Sequence, residues 1–181
     1  MKRTLQKVAV ALRESQSRAV LVGGLAVNQH GISRQTFDID FVIPDTEETS
    51  LVAALQRAGF RSLHRTENFH RLHPPHAEGF STDLLFLDRR TFDQMWDIGE
   101  DVELAGCRFR VAAPEHLIRM KLHALRFGRA ERLDKDMGDV LQLMRKCGWT
   151  PETPAFRDAC LKRGTQEMYA MVRQRWTLRQ S

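Results

Sequence analysis

The sequence feature that most constrains the fold is the segment 37–43, Phe-Asp-Ile-Asp-Phe-Val-Ile, in which apolar and acidic residues alternate. Successive side chains of a β-strand point to opposite faces of a sheet. The segment therefore predicts a strand whose apolar face carries Phe37, Ile39, Phe41 and Ile43. Its opposite face carries Asp38 and Asp40, side by side.

Two neighbouring carboxylates need a counter-charge, because like charges so close together push one group towards protonation. A hard cation relieves this, and Mg²⁺ commonly uses one or two carboxylates together with substrate phosphates. The alternative is a pair of solvent-facing acids on an exposed strand. A second Asp-x-Asp, Asp134 and Asp136, falls in a predicted helix, where residues i and i+2 do not face each other. The strand context thus distinguishes Asp38 and Asp40.

A third acid, Asp83, lies within the strongly apolar segment 80–87. A buried charge is costly unless it is paired or bound to a metal. If this predicted strand lies beside the Asp38 strand, Asp83 completes a trio that could bind metal and accept a proton from an attacking hydroxyl. The alternative is an acid at the exposed end of a strand.

A glycine pair, Gly23-Gly24, follows the short apolar strand predicted at 19–22 and precedes a short helix predicted at 25–30. Without a Cβ, the backbone there can approach a ligand closely. Free N–H groups at the start of the helix suit a phosphate. Glycine pairs are common in turns, so this feature gains weight only from the nearby acids.

The remaining periodicity predicts an α+β domain over residues 1–112 and a helical region over 113–181. The first part is expected to contain a helix at 2–16, another ending at Gly59, strands near 60–64 and 68–73, and a hairpin at 102–111. Helices are expected from Pro114, at 131–146, at 152–163 and at 165–176.

Composition excludes several other classes. The length of 181 residues fits one domain, or one core domain with a helical appendix, and the apolar content of 42% is enough for a core. No apolar run approaches a membrane span, so no membrane partner is expected. The three cysteines form no C-x-x-C pair, which argues against a disulfide framework and a thiolate zinc site and predicts a cytoplasmic location. The net charge of +5 favours phosphate-bearing partners.

These motifs resemble the DNA polymerase β-type nucleotidyltransferase superfamily. The residues that carry the resemblance are Gly23, Gly24, Arg34, Thr36, Asp38, Ile39, Asp40 and Asp83. The chain is more closely similar to minimal nucleotidyltransferases related to toxins of type IV toxin–antitoxin and abortive-infection systems. Their P-E-x-L-x-x-x-K helix resembles residues 114–121, and their K-D-x-x-D helix resembles residues 135–139. The resemblance covers roughly residues 18–145.

The resemblance implies a mixed sheet with flanking helices and a Mg²⁺-dependent transfer of a nucleoside monophosphate from an NTP. The acceptor would be a protein hydroxyl or an RNA 3′ end. A toxin-type enzyme would also have a small antitoxin-like protein as a candidate partner. A catalytically inactive nucleotide- or partner-binding module of the same fold is the alternative.

The resemblance also implies roles for individual residues. Asp38, Asp40 and Asp83 would bind Mg²⁺, and Gly23 and Gly24 would hold the triphosphate. Arg34 and Thr36 would contact phosphate or brace the turn, and Lys121 would reach the nucleotide phosphates. Two alternatives stay open at this point: Lys121 as an ordinary solvated helix residue, and Lys135, Asp136 and Asp139 as members of ion pairs between helices.

Overall fold

The computed structural model describes residues 1–76, 79–128 and 130–178, which divide into two compact units. The first unit comprises Met1–Gln29 and Ser33–Ala113. The second comprises His30–Ile32 and the chain from Pro114 onward. The expected boundary after residue 112 lies one residue from this division. That the two units are separate domains stays a prediction.

The first unit is built on a seven-stranded sheet with the strand order β3-β4-β5-β2-β1-β7-β6. Its helices are α1 (Lys2–Ser15), α2 (Gly23–Gln29), α3 (Glu48–Arg57) and α4 (Arg89–Asp97). Its strands are β1 (Val20–Val22), β2 (Asp38–Pro44), β3 (Arg61–Thr66), β4 (Phe69–His73), β5 (Ser81–Leu87), β6 (Glu100–Leu104) and β7 (Cys107–Val111). Because β2–β5 and β1–β7 are parallel and the other pairs antiparallel, the sheet is mixed, as expected.

The central strand β2 carries the alternation found in the sequence, with one exception. Ile39, Phe41 and Ile43 are fully buried. Phe37 was expected on the same face, but its side chain is 70% exposed. It precedes the first paired residue of the strand, Asp38, so the sheet geometry that buries the other three does not extend to it.

The core of the first unit runs across the sheet through Phe41. In the strand register Phe41 lies opposite Leu21 of β1 on one side and Leu84 of β5 on the other. Its ring centroid is 5.8 Å from that of Phe109 on β7. All four side chains are buried, so a continuous apolar row ties β5, β2, β1 and β7 together.

Two elements of the first unit differ from the sequence-based expectation. Helix α2 begins directly at Gly23 rather than after the glycine pair. Helix α4 was not predicted at all, although its N-cap is recognisable: the Asp88 carboxylate accepts a hydrogen bond from the Thr91 backbone N–H at 2.9 Å. Its three apolar residues follow helical spacing, but the helix has only nine residues in which to show it.

The second unit contains the four helices that the periodicity predicts. They are α5 (Pro114–Phe127), α6 (Leu133–Lys146), α7 (Pro154–Arg163) and α8 (Gln166–Leu178). Helix α5 packs against α6 and α7, and α8 packs against both α6 and α7. The core that they share includes the buried side chains of Leu117, Ile118, Val140, Met144 and Phe156. Among the described residues, no helix is both long and apolar enough to cross a membrane.

The two phenylalanines of the alternating segment, one exposed and one buried, give a matched test of this packing. Phe41→Ala should lower the free energy of unfolding by about 3–5 kcal/mol, because it leaves a cavity in the centre of the sheet. Phe37→Ala should change it by less than about 0.5 kcal/mol, since that ring is mostly in solvent. Urea denaturation followed by circular dichroism measures both. Equal losses for the two variants would contradict the burial pattern.

Candidate functional site

Three carboxylates from two neighbouring strands meet on one face of the sheet. Asp38 and Asp40 lie on β2, and Asp83 lies on β5 directly opposite Asp40 in the parallel register. One oxygen of each carboxylate lies within 4.8 Å of one oxygen of each of the others. Asp83 is buried, and the other two are half-buried. We call these three residues the acidic trio.

Gly23 makes room for one member of the trio. Its φ is +65°, in the left-handed region that favours glycine. A Cβ at this position would lie only 1.8 Å from Oδ2 of Asp40, and 2.9 Å from its Cβ. The Asp40 carboxylate therefore occupies the space above the bare Cα of Gly23. The glycine is required by the acid itself, which the sequence did not indicate.

Gly24 makes a similar close approach possible for the segment before β2. A Cβ on Gly24 would lie 2.7 Å from Oγ1 of Thr36 and 3.3 Å from Nε of Arg34. Thr36 Oγ1 in turn donates a hydrogen bond to Oδ1 of Asp38 at 2.9 Å. Of the two roles expected for Thr36, this contact supports the bracing one, because the hydroxyl fixes the orientation of the first acid.

Asn28, on α2, was not singled out from the sequence, yet its amide fixes the backbone at Arg34. Its Oδ1 accepts a hydrogen bond from the Arg34 N–H at 2.8 Å, and its Nδ2 donates to the Arg34 carbonyl at 2.9 Å. The paired bonds hold the chain that leads into β2 against α2. A single asparagine near a helix end carries no sequence signal that would identify this role.

Arg71, on β4, is the second residue that the sequence analysis missed. It lies opposite Asp83 in the antiparallel register of β4 and β5. Its Nε donates to Oδ1 of Asp83 at 2.8 Å and its Nη2 to Oδ2 at 2.5 Å. These hydrogen bonds, followed by the charges of Asp83, Asp38 and Asp40, raise the pKa of Arg71. The guanidinium thus interacts with the whole acidic trio.

Lys121, on α5, is buried and makes two ion pairs with α6. Its Nζ lies 2.6 Å from Oδ1 of Asp136 and 2.9 Å from Oδ2 of Asp139. Both aspartates are buried as well. The interpretation of Lys121 as a solvated helix residue is therefore wrong. Asp136 and Asp139 do form ion pairs between helices, with Lys121 as the cation. Whether Lys121 also reaches a phosphate stays a prediction.

Solved structures similar to this one share its fold but little of its sequence. One is an antigenic nucleotidyltransferase-like protein from Paracoccidioides brasiliensis, with a TM-score of 0.59, 15% identity, and coverage of 96% of this chain and 91% of that one. Another is the lincosamide antibiotic adenylyltransferase LnuA with bound lincomycin, with a TM-score of 0.57, 13% identity, and coverage of 79% and 98% respectively.

A third is ANT(2")-Ia in complex with adenylyl-2"-tobramycin, with a TM-score of 0.52, 17% identity, and coverage of 99% of this chain and 98% of that one. The chain has a nucleotidyltransferase-like fold. No protein-family model matches the sequence, and no curated protein matches it significantly. At these identities the likeness concerns the fold alone.

The acidic trio of this nucleotidyltransferase-like fold has donor chemistry that fits a hard divalent cation. Its three carboxylates offer only oxygen ligands, which Mg²⁺ prefers, and they are close enough together for several of them to reach one ion. The ligand atoms of the trio therefore suit a divalent metal ion. Both oxygens of Asp83, however, already accept hydrogen bonds from the guanidinium of Arg71.

The close approach of Asp40 to Gly23 can be tested by adding a single methyl group. Gly23→Ala should cost more free energy of unfolding than Gly106→Ala. Both glycines have a positive φ, so both variants pay about 1 kcal/mol of backbone strain. Only at position 23 would the new Cβ also displace the Asp40 carboxylate, since nothing lies within 4 Å of a Cβ at position 106. Urea denaturation compares them, and equal costs would refute the steric argument.

The paired Lys121 gives a second test within the helical unit. Lys121→Met should lower the free energy of unfolding by about 3 kcal/mol or more, because it removes a buried cation that pairs with two buried carboxylates. Lys162→Met is the matched control: its exposed pair with Asp158, at 3.2 Å, should contribute less than about 0.5 kcal/mol. Thermal and urea denaturation report both. A small loss of unfolding free energy in Lys121→Met would show that the ion pairs of Lys121 with Asp136 and Asp139 do not brace α5 against α6.

Proposed function

We propose that this protein is a metal-dependent nucleotidyltransferase that moves a nucleoside monophosphate from an NTP to a hydroxyl acceptor. The observation that carries the proposal is the convergence of Asp38, Asp40 and Asp83 beside Gly23. Such a trio on a nucleotidyltransferase-like fold fits phosphoryl transfer, which depends mainly on positioning and on neutralising phosphate charge.

In the proposed reaction an acceptor oxygen attacks the α-phosphorus of the NTP. The new O–P bond forms as the bond to pyrophosphate breaks, and the hydroxyl proton passes to a carboxylate of the trio, for which Asp83 is the candidate. Mg²⁺ held by Asp38, Asp40 and Asp83 would supply the charge neutralisation that phosphates require.

The chain's own residues would orient these groups. Thr36 fixes Asp38 through its hydroxyl, and Gly23 leaves space for Asp40. Under the proposal, the backbone at Gly23 and Gly24 holds the triphosphate and the Arg34 side chain contacts a phosphate. Lys121 remains a candidate for the nucleotide phosphates, because its ammonium group has three N–H donors and Asp136 and Asp139 account for two of them.

For the acceptor we propose a protein hydroxyl or an RNA 3′ end, in the manner of a toxin-type enzyme with a small antitoxin-like partner. The net charge of +5 supports an acceptor that carries phosphate, such as RNA. Two structural neighbours are described with antibiotics, lincomycin and adenylylated tobramycin. A small-molecule hydroxyl is therefore a third class of acceptor to be tested, beside protein and RNA.

One observation favours a second candidate, a nucleotide-binding module that has lost catalysis. Both oxygens of Asp83 are engaged by Arg71, so part of the negative charge of the trio is already neutralised within the protein. This candidate predicts NTP binding without release of pyrophosphate, whereas the enzyme releases pyrophosphate when an acceptor is present.

Nucleotidyl transfer should depend on the first two acids. Asp38→Asn combined with Asp40→Asn should reduce labelling from NTPs marked at the α-phosphate by about a hundredfold or more, because the charge that positions the metal and the phosphates is lost. The measurement is incubation with Mg²⁺, each NTP and a cell extract. Digestion with ribonuclease or protease then identifies the labelled class, and lincomycin and tobramycin are tested separately.

The matched control combines Asp45→Asn with Asp97→Asn, which removes the same charge from two exposed positions of the same unit. This variant should label acceptors as well as the unchanged protein does. If the Asp38/Asp40 variant labels acceptors as strongly as the unchanged protein does, the proposed enzymatic activity is contradicted. NTP binding with no pyrophosphate release from the unchanged protein would support the inactive module instead.

A further inference from the structure

The guanidinium of Arg71 stands in line with two members of the acidic trio. Across three adjacent strands, Arg71 of β4 pairs with Asp83 of β5, and Asp83 pairs with Asp40 of β2. Paired residues lie on the same face of a sheet, so all three side chains occupy one row. The row begins with a cation and continues with two carboxylates.

The contact between Arg71 and Asp83 is a complete fork. Two parallel hydrogen bonds, 2.8 and 2.5 Å long, use both carboxylate oxygens. Charge-assisted bidentate pairs of this kind are among the strongest side-chain contacts. A divalent ion that approached Asp83 would therefore meet oxygens that already accept hydrogen bonds, and a nearby positive charge that repels it.

The two partners differ in how firmly the protein encloses them. The Asp83 side chain is 4% exposed, whereas that of Arg71 is 42% exposed. Besides the carboxylate, the guanidinium lies over the Phe69 ring, 5.8 Å from its centroid. Asp83 is thus fixed in the sheet, and Arg71 is the partner that can turn towards solvent without unfolding the strand.

We propose that Arg71 is a positioning residue that keeps Asp83 closed to a divalent ion and must turn away before all three acids can bind the ion together. The inference rests on the proposed function. The proposed movement of Arg71 explains how three carboxylates suited to a metal ion can coexist with an arginine that is hydrogen-bonded to one of them. The rival view is that Arg71 is a permanent brace that presents Asp83 to the ion.

Binding of Mn²⁺, a paramagnetic substitute for Mg²⁺, distinguishes the two views without any measurement of catalysis. The full chain is titrated and free Mn²⁺ is followed by electron paramagnetic resonance. Arg71→Gln should lower the Kd for Mn²⁺ roughly tenfold, since the competing fork and its charge are both removed. Arg71→Lys keeps the charge but cannot form the fork, so its Kd should lie between those of the other two proteins.

The matched control is Arg65→Gln. Arg65 on β3 makes an equivalent fork with Glu48, at 2.7 and 2.8 Å, outside the acidic trio. This variant should leave the Kd for Mn²⁺ unchanged. Asp38→Asn should abolish the binding, which shows that the signal reports the trio.

An Arg71→Gln variant that binds Mn²⁺ as the unchanged protein does, or more weakly, overturns the inference and leaves the proposed function standing. If Arg71→Gln does not fold, Arg71→Lys decides in the same way: tighter binding supports the inference, and equal or weaker binding overturns it. If neither the unchanged protein nor the Arg71 variants bind Mn²⁺, the inference and the metal-dependent function fail together.

Discussion

The parallel pairing of β2 with β5 is the contact on which the arrangement of this protein's candidate site depends. Because Asp40 lies opposite Asp83 in that register, the carboxylates of two strands far apart in sequence come together on one face. A shift by one residue would turn Asp83 to the opposite face. The buried row through Phe41 and Leu84 holds the register, since it fills the other face of the same two strands.

Much of this arrangement could be predicted from local patterns. The alternation in β2 identified which acids share a face, and the apolar surroundings of Asp83 marked it as an unusual charge. The mixed sheet and the four C-terminal helices also followed from periodicity and from the family resemblance. Phe37 was misplaced because alternation does not reveal where strand pairing begins. Helix α4 was missed because it is short, although its apolar residues follow helical spacing.

The remaining features arise from side chains that meet only in three dimensions. Arg71 and Asp83 are partners because β4 lies beside β5, and no local pattern gives that adjacency. The two hydrogen bonds between the Asn28 amide and the Arg34 backbone depend on the path of a loop. Lys121 was recognised, but its engagement by Asp136 and Asp139 requires the packing of α5 on α6. In each case residue type was visible in the sequence and partner identity was not.

The contact between Gly23 and Asp40 has a consequence for how intact and degenerate sites are told apart. A chain could retain every carboxylate of this site and still lose the geometry of the site through one added methyl group at Gly23, the first residue of α2. A comparison that checked only for the three aspartates would judge the site of such a chain to be intact. Among proteins of this fold, the small residue and the acid above it have to be examined as one unit, because neither is informative about the site without the other.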